Sequence, residues 1–275
     1  MSIFEDFLLK FRESFRGTKP VIHSVLGNVF SMRVIGNKTH GDLAEIALTE
    51  YINEFVKDYS AIHTGKEKFR AKKFEEDISV TNKLTGATFP ISIKTYGVGP
   101  LQLSTNKTGS MFSCLTGIVG KSEITNSQGI KDILKNPCFF DFSKVNVLPL
   151  IYDEKNKTFK IILFDLEKAY NSVSKIKYFP PRKYGKDRET FPVYKFFATD
   201  EQYIFEVRYG GAGANALQRG MWTHTENASP FFNEILNGTY EINEPLIKLV
   251  SKILVSPREK HEKILDLLRQ LNGNS

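Results

Sequence analysis

Two short apolar runs separated by a turn constrain this chain more than any other feature of it. The first is Glu76-Asp77-Ile78-Ser79-Val80 and the second is Phe89-Pro90-Ile91-Ser92-Ile93-Lys94. Turn residues Asn82 to Thr88, Gly86 among them, lie between. Successive side chains alternate faces along a strand, so Ile78 and Val80 share one face of the first run, and Ile91 and Ile93 share one face of the second. Burying these faces together requires Ile78 to sit opposite either Ile91 or Ile93. Either register carries Asp77 to the other face, beside Ser92 and Lys94. A register displaced by one residue would set the carboxylate against the isoleucines, which burial disfavours. The pattern therefore gathers an acid, a hydroxyl and an amine on one polar face of a hairpin.

Such a trio suits phosphodiester hydrolysis. A hard divalent cation such as Mg²⁺ prefers carboxylate, carbonyl and water oxygens. It polarises a phosphate and lowers the pKa of an attacking water. A lysine beside it orients that water or stabilises charge developing on phosphorus. An upstream helix supplies a second carboxylate. Residues 41 to 57, Gly-Asp-Leu-Ala-Glu-Ile-Ala-Leu-Thr-Glu-Tyr-Ile-Asn-Glu-Phe-Val-Lys, carry the clearest amphipathic pattern of the N-terminal half. At about 100° per residue, Glu45 falls within roughly 20° of Ile52 and borders the apolar stripe. Glu50 and Glu54 fall roughly 140° and 180° from Glu45 and face solvent.

Gly41-Asp42-Leu43-Ala44-Glu45 resembles the helical acid of PD-(D/E)XK nucleases, and Asp77 through Ile91-Ser92-Ile93-Lys94 resembles that family's hairpin, in which an Asp precedes an acid-x-Lys. The resemblance covers roughly residues 40 to 165 and rests on order, spacing and faces together. It implies an α/β fold with a restriction-endonuclease-like core, a mixed β-sheet flanked by helices, and C-terminal recognition elements. It also implies Mg²⁺-dependent cleavage of double-stranded DNA, with a type II restriction endonuclease as the expected kind. The chain departs from the family at Ser92, where an acid is usual. By analogy with members that recruit a helical carboxylate instead, Asp77 and Glu45 are the expected metal ligands, with Glu76 and Glu50 weaker candidates. Asp77, Lys94, Glu45 and Ser92 form the expected catalytic set, served by one or two Mg²⁺ ions.

The remainder of the chain divides into an expected core, 1–170, with N-terminal helices, and 171–275, with DNA-recognition loops and C-terminal helices packed on that core. Periodicity predicts helices over 2–16, 245–255 and 257–272, the last opened by Ser256-Pro257-Arg258-Glu259. Strand-like runs occupy about 67–74, 77–83, 88–96 and 192–209, and a hairpin joins 145–152 to 158–165 across Glu154 to Lys157. Lys175 to Arg188, rich in proline and lysine, reads as a surface loop.

Base recognition needs side chains with paired donors and acceptors. The glycine-rich stretch from Arg208 to His224 offers Arg208, Asn215, Gln218, Arg219, Trp222 and His224, although its lone tryptophan also suits a core. A second polar segment after Lys94 offers Gln102, Ser104, Asn106 and Lys107, with a plain surface strand as the alternative. Arg182 and Lys183, among tyrosines and other lysines, suit backbone phosphates. A formal net charge of +7 fits a polyanionic partner.

Other chemistries are excluded. Gly117 to Ser122 ends like a phosphate-binding loop, but that motif needs glycine where Leu115 stands, so no nucleotide triphosphate is expected. The five histidines and two cysteines lack zinc spacing, and no G-x-S-x-G occurs. No apolar run is long enough for a membrane helix. The opening residues Met1 to Asp6 are acidic and lack a signal-like pattern, and Cys114 and Cys138 are expected to be reduced thiols. A cytoplasmic protein is expected, with no membrane partner. The leucine-rich C-terminal segment suits a homodimer or the core. The rival readings are a structure-specific repair or recombination nuclease of the same superfamily and a non-catalytic DNA-binding protein.

Overall fold

The computed structural model describes residues 2–33, 39–64, 76–104, 110–140, 146–181, 191–209 and 220–255. The expected strand at 67–74 and the expected helix at 257–272 lie outside these residues.

Helix α1 (Ile3–Arg33) is longer than its first amphipathic stretch predicts. Thr18, at φ −120°, leaves the helical region just before Pro20, which lacks an N–H and whose ring crowds the preceding turn, so the helix kinks but does not end. Helix α2 (Thr39–Phe55) packs beside it, with Glu50 and Glu54 exposed as the wheel requires.

The strands form two six-stranded sheets. The first comprises β1 (Tyr59–His63), β2 (Ile78–Asn82), β3 (Thr88–Gly97), β6 (Asn146–Asp153), β7 (Thr158–Phe164) and β12 (Phe232–Thr239), adjacent in that order. Only β3 and β6 pair in parallel, so this sheet is mixed. The second sheet is antiparallel throughout: β4 (Pro100–Ser104), β11 (Gly220–His224), β10 (Tyr203–Arg208), β9 (Val193–Phe197), β8 (Lys175–Phe179) and β5 (Glu123–Ile124). Strand β8 corrects the expected loop over Lys175–Phe179, where Ile176 is fully buried and Lys177 exposed; 182–188 lie outside the described residues. The fold is thus α/β, with sheets flanked by helices.

Two apolar clusters organise the interior. On one face of the first sheet, Phe7, Phe11 and Phe15 of α1 and Ala44, Leu48 and Ile52 of α2 meet Ile78, Val80, Ile91 and Ile93. The second cluster joins the inner face of the second sheet (Leu101, Tyr194, Phe196, Phe205, Val207) to Ile151, Ile162 and Phe164 of the first. Helices α3 (Ser110–Ile118), α4 (Ser127–Leu134), α5 (Pro137–Phe140) and α6 (Leu166–Ser172) add Leu115, Ile130, Phe139 and Ala169. No helix among the described residues is long and apolar enough to cross a membrane.

The segment before helix α7 (Glu244–Val255) straps across α1 at Gly27. A Cβ there would lie 2.8 Å from the Glu241 carbonyl oxygen, while Ser31 Oγ accepts from the Asn243 N–H at 2.7 Å. On an exposed helix a glycine-to-alanine change gains about 1 kcal/mol. Here Gly27→Ala forces backbone apart, and overpacking of this kind costs about 1–3 kcal/mol. The expected result is a lower unfolding midpoint, opposite in sign to the exposed-helix effect, as read by thermal melting.

Candidate functional site

The hairpin adopts one of the two registers that the pattern allows: Ile78 lies opposite Ile91. Extending the ladder, the Asp77 N–H donates to the Ile91 carbonyl at 3.1 Å, and the Asp77 carbonyl accepts from Thr64 at 2.8 Å. The Asp77 carboxylate is half-buried, and its Oδ2 accepts twice, from Ser92 Oγ at 2.8 Å and from the Ile93 N–H at 2.8 Å. Ser92 is buried and serves to orient that carboxylate. Lys94 follows two residues along the same face of β3, half-buried, opposite Pro149 of β6. Asp77, Ser92 and Lys94 are therefore brought together on the polar face.

Glu45 is buried, as the helical wheel predicts, but its Oε2 meets His63 Nε2 at 3.0 Å. His63 lies opposite Ile78 and so shares the apolar, α2-facing side of the sheet. Among the described residues no group of three or more His, Cys, Asp or Glu gathers to hold a metal ion. Among the described residues, the protein donors on the polar face centre on Asp77. Glu76 is buried beside it, whereas Glu50 is exposed. A carboxylate offers about four lone-pair positions. Mg²⁺ commonly binds through one or two carboxylates while keeping several waters and taking phosphate oxygens from substrate. The hairpin fits that water-rich mode.

Beyond Lys94 the chain turns at Val98–Gly99 and crosses to the second sheet. Gly99 has φ +128°, a conformation that L side chains rarely adopt, and exchanges hydrogen bonds with Thr225. Tyr96 spans the junction: its hydroxyl donates to Gln102 Oε1 at 3.4 Å and its ring meets the Trp222 ring edge-on at 6.3 Å. Gln102, Trp222, Glu206 and Lys195 are successive cross-strand partners over β4, β11, β10 and β9. Trp222 is buried yet belongs to neither apolar cluster. The Arg208 guanidinium carbon lies over its ring, 4.3 Å from the centroid, and Arg208 Nε donates to the buried Glu206 carboxylate, which Lys195 approaches at 3.9 Å.

Of the residues expected to touch DNA, Gln102, Arg208 and Trp222 thus form one cluster, joined to the Lys94 strand by Tyr96. Ser104 ends β4 opposite Met221. His224 pairs with Pro100 at the Gly99 end of the sheet, away from Arg208, which pairs with Gly220. Asn106, Lys107, Arg182, Lys183, Asn215, Gln218 and Arg219 lie outside the described residues. Sequence reading passed over His63, Tyr96, Lys195 and Glu206. Glu206 and Arg208 stand two apart in a strand, a same-face spacing that was available as a signal. No family model matches this chain, and neither a curated protein nor a solved structure matches it.

Proposed function

We propose that this protein is a Mg²⁺-dependent deoxyribonuclease with a PD-(D/E)XK, restriction-endonuclease-like core, acting on double-stranded DNA as a type II restriction endonuclease. The observation that carries the reading is the Asp77 carboxylate, fixed by Ser92 and the Ile93 N–H, with Lys94 on the same strand face. Asp77 would hold the cation through its carboxylate. When bound, the cation supplies a polarised phosphate and a more acidic water. The Lys94 ammonium stabilises the negative charge that accumulates on the phosphate oxygens and orients the water. Water adds to phosphorus, one P–O ester bond breaks, and the departing oxygen leaves with a proton. Ser92 keeps Asp77 in place and donates to it, so the usual acid at this position is replaced by a positioning hydroxyl. The net charge of +7 favours the polyanion.

The test is digestion of a large, fully sequenced, unmethylated DNA with Mg²⁺ or with EDTA, followed by mapping of the ends. Ends recurring at one short sequence, with Mg²⁺ alone, are the expected result. Cutting that follows branches or flaps instead would assign a structure-specific nuclease. DNA binding without cutting in any divalent cation would assign a binding protein.

A further inference from the structure

We infer that Arg208 is a specificity-determining residue that reads a guanine in the major groove, an assignment that rests on the DNA-cleaving reading above. The geometry is that of an oriented guanidinium. Its central carbon lies over the Trp222 ring, 4.3 Å from the centroid, and its Nε is engaged by Glu206. With Nε committed to Glu206, the two terminal nitrogens are the donors offered to a ligand. The side chain is 35% exposed and so within reach of a partner, whereas the Glu206 side chain beneath it is 6% exposed.

Burying a carboxylate between Arg208 and Lys195 is costly in desolvation, and such a group is retained where it fixes geometry more than where it adds stability. Glu206 also adds a negative charge to the local field. A phosphate clamp gains nothing from that, because a phosphate contact asks for positive charge and tolerates many orientations. A base edge asks for direction. Guanine presents O6 and N7 as a pair of acceptors whose spacing matches the parallel donors of a guanidinium. The Trp222 Nε1 beneath Arg208 is buried and has no hydrogen-bond partner among the described residues. Tyr96, in contact with both Gln102 and Trp222, ties this cluster to the strand that carries Lys94, so reading and cutting share one support.

The experiment is selection from a random-sequence duplex library in EDTA, where binding proceeds without cutting, using the wild type, Arg208→Ala and Arg208→Lys. Thermal melts establish that the variants fold, and Arg208→Lys keeps a cation beside Glu206. The wild type is expected to enrich a motif with an invariant guanine at which both variants lose preference. Replacing that guanine by 7-deazaguanine, which removes N7, should weaken wild-type binding roughly tenfold and leave Arg208→Ala unaffected. The wild-type measurement in this arm depends on no substitution. Uniformly weaker binding of Arg208→Ala to every duplex, with a salt slope reduced by about one, would make Arg208 a phosphate contact and overturn the assignment. Unchanged selection by both variants would overturn it as well, leaving DNA binding intact. Absence of duplex binding by the wild type would instead overturn the functional reading together with this one.

Discussion

Lys94→Ala is expected to lower the rate of Mg²⁺-dependent DNA cleavage by at least about 10²-fold, the usual effect of deleting a group that stabilises transition-state charge. Duplex affinity in EDTA and the thermal midpoint should change little, because Lys94 is half-buried at the edge of the polar face and belongs to no apolar cluster. Asp77→Asn makes the complementary case. Its amide oxygen can still accept from Ser92 Oγ and the Ile93 N–H, so the hairpin keeps its ties. The negative charge that would hold a cation is gone. Cleavage should therefore fall at least as far as in Lys94→Ala, and raising Mg²⁺ should not restore it. Rate measurements over a range of Mg²⁺ concentrations separate the two: Lys94→Ala should retain the wild-type metal dependence at a lower ceiling.

The largest expected loss of stability lies elsewhere. Phe7 is fully buried and contacts four aromatic rings, stacking on Phe11 at 5.4 Å and on Phe4 at 6.3 Å while meeting Tyr59 and Phe89 edge-on at 5.3 Å each. It joins α1 to the first sheet, whose strand β2 begins just after Asp77 and whose strand β3 carries Ser92. Phe7→Ala removes the ring and leaves a cavity that rigid neighbours cannot refill, at a cost of about 3–5 kcal/mol. That is a large part of the roughly 5–15 kcal/mol by which a folded domain is stable. A chemical-denaturation midpoint well below wild type is expected. A change under about 1 kcal/mol would mean that α1 is not anchored through this ring.

The hairpin was legible because its two faces differ so sharply. The apolar pairs Ile78/Val80 and Ile91/Ile93 left only two registers, and both carried Asp77 to the face of Ser92 and Lys94; the pattern could not choose between them, since a shift of two residues leaves the faces unchanged. The wheel placed Glu45 inside and Glu50 and Glu54 outside, and burial agrees. It could not name the partner, because His63 comes from β1, a five-residue strand too short to announce itself beside the helix. The continuation of α1 past Thr18 was hidden by Pro20, since a proline alone marks a kink and a stop in the same way. The two-sheet arrangement was the least legible part. The parallel pairing of β3 with β6 and the lateral row from Gln102 to Lys195 join residues distant in sequence, and period alone carries no statement of partners. Trp222 shows the consequence: a lone tryptophan suited a core or a recognition surface equally well, and only the row beside it identifies a polar setting under Arg208.

The central claim, that Asp77 and Lys94 form a metal-dependent hydrolytic centre, is tested most directly by a time course on supercoiled plasmid, started with Mg²⁺ and stopped with EDTA, with wild type and Asp77→Asn side by side. The account predicts nicked and linear products from the wild type in Mg²⁺ only, and intact plasmid from Asp77→Asn. Equal cutting by both proteins, or cutting by the wild type in EDTA, would contradict it.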